Sequence, residues 1–245
     1  MRRGLRDSLT RLQLDNVDVL FLHRSDNEVP LLEQVRTMNQ FIEDEKTYYW
    51  GTSEYTPQML MEIHHICDKY GYVHPIVEQC EYNMLHRQKV EVDYAPLFDE
   101  YGLGTTIWSP MAQGILSGKY NDGTIPAGSR FSKMGEIPIL QYLYNGYVGN
   151  LPDKGASTLQ GLAKIAEEVG CTQSQLALAW TLVHKDVSTC LFGATSHEQL
   201  ENNLASIDVS KRMNSDILEK IEGVLNNRPT PSMNWRFFTP NKPRR

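Results

Sequence analysis

Regular alternation of short β-rich runs with amphipathic helical segments is the feature that most restricts what this chain can become. The β-rich runs are "NVDVLFLH" (16–23), "TYYWGTSE" (47–54), "VHPIVEQCE" (73–81), "GTTIWSP" (104–110) and "VSTCLFGAT" (187–195). Between them, segments 31–45, 56–71, 89–102 and 158–170 place apolar residues near i, i+3, i+4 and i+7, several ending in glycine. Two more helical segments, 174–185 and 198–207, flank the last strand. Strands that are each followed by a helix run parallel, because a parallel pair needs a crossover to carry the chain back. The sequence therefore predicts an α/β protein, either a doubly wound sheet or a (β/α) barrel. It shows no internal repeat and no clear boundary, so residues 1–245 read as a single domain. The Gly- and Pro-rich stretch 121–157 is longer than a scaffold connection requires and reads as a candidate lid.

Composition removes several classes of function. Apolar residues make up 40% and charged residues 22% of the chain, the balance of a globular protein with a real core. "VDVLFLH" is broken by Asp18 and too short to cross a bilayer, and "MRRGLR" is followed by no apolar h-region. Neither a membrane span nor a secretory signal is expected, and the chain is expected in the cytoplasm. A net charge of −6 argues against nucleic acid as the partner, and the basic ends "MRRGLR" and "NKPRR" read as solvated termini. Cys67, Cys80, Cys171 and Cys190 lack metal-ligand spacing and sit in apolar stretches, so they read as structural thiols in a reducing compartment, with no metal site.

The ends of the predicted strands carry the chemistry. A doubly wound dinucleotide fold places GxGxxG directly after a strand; "YGLGTTIW" offers Gly102 and Gly104 before a strand and Ile107 in place of the third glycine, so that reading is weak. Barrel enzymes instead gather function at the C-terminal ends of their strands. Those ends read His23-Arg24, Gly51-Thr52-Ser53, Gln79, Trp108-Ser109-Pro110 and Gly193-Ala194-Thr195. An aromatic plate, amide-bonding groups and bare backbone suit a flat, amide-bearing ligand with phosphates. Trp108 can stack on a ring, Ser53 and Gln79 can bond an amide, and the backbone of "MAQG" and "ILSG" can approach a pyrophosphate.

These stretches resemble the aldo-keto reductase family, and within it the β subunits of voltage-gated potassium channels. The resemblance runs over nearly the whole chain, through "RLQLDNVDVLFLHRSD", "YYWGTSEYTPQMLMEI", "EQCEYNMLHRQKVEVDYAPLF", "GTTIWSPMAQGILSGKYNDG" with "GSR" after it, and "FGATSHEQLENNL". It implies an incomplete (β/α)8 barrel and an NADP(H) cofactor. By that resemblance Trp108 stacks on nicotinamide, Ser53 and Gln79 hold its carboxamide, and Ser109, Pro110, Met111, Ala112, Gln113 and Gly114 line the pyrophosphate. Lys119 and Arg130 meet phosphates, Arg130 reaching the 2′-phosphate, while Gly193, Thr195, Gln199 and Asn203 complete the cofactor site. Glu54 stands where channel β subunits have arginine and Asn202 where they have glutamate, which places the contacts there in question. His23 replaces their asparagine and resembles the active reductases.

The same resemblance sets expectations for the front of the chain. Hydride transfer to a carbonyl leaves an alkoxide to be protonated, and a tyrosine does this only if a lysine lowers its pKa and an aspartate orients the lysine. The family carries those three residues on its first three β/α units. Only 22 residues precede His23, so those units and their Asp, Tyr and Lys are expected to be absent, leaving His23 as a catalytic remnant. The strands at 17–22 and 188–192 are then expected to be open edges, so that the chain is oligomeric, bound to another protein or loosely packed. Three functions follow: a redox-sensing or regulatory NADP(H)-binding subunit, plausibly of a cation channel; an NADPH-dependent aldehyde or ketone reductase if the front units are restored; or a structural pseudoenzyme in an assembly. In the first of these the chain lies peripheral to a membrane through its partner.

Overall fold

The computed structural model describes residues 1–149, 151–231, 233–234 and 239–240. Its centre is a parallel sheet in the order β1-β2-β3-β4-β5, formed by Val17–Leu22, Thr47–Ser53, Val77–Gln79, Gly104–Ile107 and Val187–Cys190. Sequential order with helical crossovers is the arrangement of a (β/α) barrel wall, which bears out the α/β reading and the partial aldo-keto-reductase-like barrel. The strands are shorter than the β-rich runs. Residues 73–76 stay outside β3 because Pro75 cannot donate to a ladder, and β5 stops at Cys190, before the turn through Gly193. The basic tail "NKPRR" (241–245) lies outside the described residues.

The chain divides into two compact units. The first holds residues 1–80 and 93–106 and so contains α1 (Arg2–Leu12), β1, α2 (Leu31–Glu43), β2, α3 (Pro57–Tyr70), β3, α4 (Ala95–Tyr101) and all but the last residue of β4. Its core joins Val35, Met38 and Phe41 of α2 to Leu60 and Ile63 of α3 and to Trp50 of β2, all nearly or fully buried. α3 is bounded as the sequence prescribes: the Thr56 hydroxyl accepts from Met59 N at 3.2 Å, Pro57 sits in the first turn, and Gly71 closes the helix at φ 69°. Segment 89–102 breaks into a π-helical turn (Lys89–Asp93) and α4, because Pro96 in the first turn of α4 has no N–H to extend a helix from behind it. The basic N-terminal segment is not merely a solvated end: α1 exposes its arginines and buries Leu5 and Leu9.

The second unit holds residues 81–92 and the described residues from Ile107 onward. It carries α5 (Pro138–Tyr144), α6 (Ala156–Val169), α7 (Gln173–Leu182), β5, α8 (His197–Leu204), α9 (Ser206–Ser210) and α10 (Ser215–Leu225). α6 and α10 cross closely enough that a Cβ on Gly161 would stand 2.7 Å from a Val224 methyl. The expectation that 121–157 is irregular throughout needs correction. That stretch holds α5 and several short turns, and it has a core of its own in which Phe131, fully buried, meets the rings of Tyr120 and Tyr144 edge-on at 6.0 and 5.4 Å. Its aromatic spacing at 120, 131, 144 and 147 is what the Gly/Pro content masked.

Candidate functional site

In the first unit the polar groups gather at the C-terminal ends of β1, β2 and β3. Gly51 makes the β2–β3 pairing possible: a Cβ there would lie 2.5 Å from the Val77 carbonyl oxygen and 2.6 Å from its Cγ1. Two residues on, buried Ser53 donates to the Gln79 carbonyl at 2.9 Å and accepts from Arg24 Nη1 at 2.8 Å. The same Gln79 carbonyl accepts the Glu54 amide at 3.2 Å, with Glu54 at φ 61°. His23 is exposed at the end of β1, its carbonyl capped by Arg24. The structure therefore sets the Ser53 hydroxyl against the Gln79 backbone carbonyl and ties Arg24 to Ser53.

Beneath this cluster lies a buried carboxylate that sequence reading missed. Glu78, fully buried on β3, accepts from the Thr52 hydroxyl, from Tyr55 N at 3.2 Å and from the Tyr94 hydroxyl at 3.4 Å. Burial first and then the charge of Glu78 push the Tyr55 phenol up to about 12 and raise Tyr94 further still, so both remain neutral donors. The signal was present: an acid set directly after the apolar run "PIV" in a predicted strand must be satisfied by neighbours.

In the second unit the residues after β4 form a tightly turned loop. Trp108, half-buried, bridges to Glu81, and Tyr82 N donates to its carbonyl at 3.4 Å. Ser109, Ala112 and Gln113 then take φ of 52°, 47° and 57°, followed by Gly114 at 101°. Left-handed backbone costs a non-glycine residue roughly 1 kcal/mol or more, so three such residues persist only because neighbours hold them. The holders are visible. Asn83, fully buried, donates to the Ser109 carbonyl at 3.0 Å; Gln113 Nε2 donates to the Ser109 hydroxyl; Arg130 Nη1 donates to Gln113 Oε1 at 2.5 Å. Pro110 and Ala112 are buried, Met111 is half-buried, and a Cβ on Gly114 would meet nothing within 4 Å, which leaves open space above that backbone. Lys119 is exposed.

The remaining predicted residues lie in the approach to α8 and along that helix. Gly193, Thr195 and Gln199 are exposed, and Asn203 is buried on the inner face of the helix. Ser196 caps the helix by accepting Gln199 N at 3.2 Å, and Gln199 Oε1 receives both the amide and the hydroxyl of Thr195 at 3.0 Å. Asn202, a point of departure in the sequence, faces elsewhere: its side chain and carbonyl accept from Thr172 and Gln175 on α7.

A sequential parallel sheet with helical crossovers is the scaffold of a (β/α) barrel, and comparison with known proteins narrows the class. The aldo/keto reductase family model matches residues 1–225; the chain belongs to this family. It is similar to the "Probable voltage-gated potassium channel subunit beta" of Arabidopsis thaliana and to its counterpart in Oryza sativa subsp. japonica, each 41% identical over 233 residues, covering 95% of this chain and 69% of the relative. It is also 43% identical over 230 residues to the "Putative voltage-gated potassium channel subunit beta" of Schizosaccharomyces pombe, covering 92% of this chain and 64% of that one. Among the described residues no helix is long and apolar enough to cross a membrane and no cluster of His, Cys, Asp and Glu has metal-binding geometry.

Proposed function

We propose that the chain binds NADP(H) and acts as a redox-sensing or regulatory subunit, its partner a cation channel as the names of its relatives suggest. The observation that carries this reading is the Ser109–Gly114 loop: left-handed backbone at Ser109, Ala112, Gln113 and Gly114 leaves open space above Gly114, Arg130 is bonded to Gln113, and Lys119 is exposed a few residues on, a setting that suits an anion. Ser53 and Gln79 would hold a carboxamide and Trp108 would stack on the nicotinamide; bound NADPH supplies the hydride. Lys119 and Arg130 would meet the phosphates, Arg130 reaching the 2′-phosphate, a charge-assisted bond of this kind being worth roughly 1.5–3 kcal/mol.

Titration of the chain with NADPH and NADH, followed by tryptophan fluorescence, is expected to show tighter binding of NADPH, with Arg130→Ala erasing most of the preference; equal affinities in the unmutated chain would sink the reading. A second reading, reduction of aldehydes and ketones, is favoured by exposed His23 at the end of β1. Steady NADPH oxidation with a reactive aldehyde, abolished by His23→Ala, would support that alternative, and absence of nucleotide binding would favour a structural pseudoenzyme. In each case the β1 and β5 ends of the sheet offer pairing edges to a partner or second copy.

A further inference from the structure

Five side chains in the second unit form one directed hydrogen-bond chain. Arg130 Nη1 donates to Gln113 Oε1, Gln113 Nε2 donates to the Ser109 hydroxyl, the Ser109 hydroxyl bonds the Tyr147 phenol oxygen, and Tyr147 donates to Glu81 Oε1. Each donor hands to the next acceptor in one direction, from an exposed cation to a buried carboxylate, so the charges at the two ends polarise every bond between them. Glu81 and Tyr147 are 9% and 7% exposed, which keeps water from competing with the inner links. Glu81 also accepts from Asn83, the residue that holds the Ser109 carbonyl, so one carboxylate anchors both the side chain and the backbone of Ser109. Burial foremost, and then the charge of Glu81, raise the Tyr147 phenol well above its ordinary range and keep it a donor at neutral pH.

We infer that Tyr147 and Glu81, which lie outside the cofactor-lining residues, are positioning residues that pre-set the Ser109–Gly114 loop and Arg130 for the phosphates of the nucleotide. The inference rests on the proposed NADP(H) reading for its ligand but not for its geometry. Without Tyr147 the Ser109 hydroxyl loses its inward partner, the left-handed residues relax, and Arg130 loses the strut that aims it. Neither residue needs to touch the nucleotide.

The test separates the geometry from the ligand. Amide hydrogen exchange on the ligand-free chain is expected to rise about tenfold across residues 109–116 in Tyr147→Phe while α6 and α7 keep their protection; unchanged exchange at 109–116 overturns the inference whether or not nucleotide binds. NADPH affinity is expected to fall about tenfold in Tyr147→Phe and to change less than threefold when the same substitution is made in Arg130→Ala, because both act through one chain. Additive losses in that cycle would overturn the inference. Failure of the unmutated chain to bind NADPH would count against the proposed function alone, the exchange result still deciding the geometry. If Tyr147→Phe does not fold, Glu81→Gln, which keeps the acceptor and removes the charge, gives the same two readings, with a smaller rise in exchange expected.

Discussion

The ends of β2 and β3 and the loop after β4 present similar polar chemistry, yet they are built by opposite means. At the first, Ser53 and Gln79 stand on regular strands in register, and the one special requirement is room, met by Gly51 against Val77. At the second, Ser109, Ala112 and Gln113 hold a backbone that disfavours them, and the requirement is restraint, met by Asn83 and by the chain from Tyr147 to Glu81. A sheet positions side chains through ladder bonds it makes anyway, whereas a strained loop is only as well placed as the buried polar groups that hold it.

If that contrast is correct, the largest effect comes from loosening the support of the loop. Residues 81–92 carry Glu81 and Asn83; within them Arg87 bonds Glu91 at 2.7 and 2.9 Å, and it ties the segment to Glu222 of α10 at 2.7 and 2.8 Å, to Asn227 just beyond at 3.0 Å, and to the Trp180 ring of α7, 5.1 Å away. Burial opposes the charge on Arg87, but its bonds to Glu222 and Glu91 more than offset that and hold it firmly protonated. Arg87→Met would leave Glu91 with the Tyr82 hydroxyl and Glu222 with Arg228 in place of their shared guanidinium, and is expected to cost about 3 kcal/mol in denaturant unfolding; a loss under about 1 kcal/mol would show that the segment is held by packing alone.

Exchanging the two kinds of glycine sharpens the comparison. Gly51→Ala drives a Cβ into backbone and is expected to cost about 2–3 kcal/mol through overpacking. Gly114→Ala meets no atom and should cost only about 1 kcal/mol, for its φ of 101°. Thermal unfolding of both variants tests the order, and a reversal would mean that the sheet yields more readily than the loop.

A further effect, comparable to that of Gly114→Ala, concerns acid and belongs to the regular half. His64, buried on α3, stacks on Tyr101 at 3.9 Å and shares a 2.8 Å Nδ1–Nδ1 bond with His74, which reaches Asp68 through Nε2 at 3.2 Å. Burial foremost, then His74, lower its pKa to about 4. Because the unfolded chain takes up the proton near pH 6.5 and the folded one only near 4, the stability of neutral His64 is complete above 6.5 and is lost as pH falls through 4. The wild-type chain should lose about 1–2 kcal/mol more than His64→Asn between pH 7 and 4.5 in urea unfolding; parallel pH profiles would refute the assignment.

The sequence was most legible where chemistry and period coincide. Alternating apolar runs with amphipathic segments between them announced all five strands of the sheet, and Thr56 and Gly71 bounded a helical segment whose ends the structure keeps. Strand-end residues such as Ser53 and Gln79 were readable because a parallel strand exposes its C-terminal end in a fixed direction. The stretch 121–157 was not: its apolar residues fall in short turns with no constant period, so neither a 2.0 nor a 3.6 repeat reveals Phe131 and Tyr147 as buried.

What the sequence determined by itself was the order of elements, the parallel sheet and the family, because local propensity and binary pattern act along the chain. Tertiary structure alone decided which carboxylates are buried and what satisfies them. Glu78 with Thr52 and Tyr94, Arg87 with Glu222, and Glu81 with Tyr147 join residues that lie between 16 and 135 positions apart. Partners of that kind are selected by desolvation in three dimensions: a charge is tolerable in the interior only where folding delivers its complement, and no periodicity along the chain encodes that delivery.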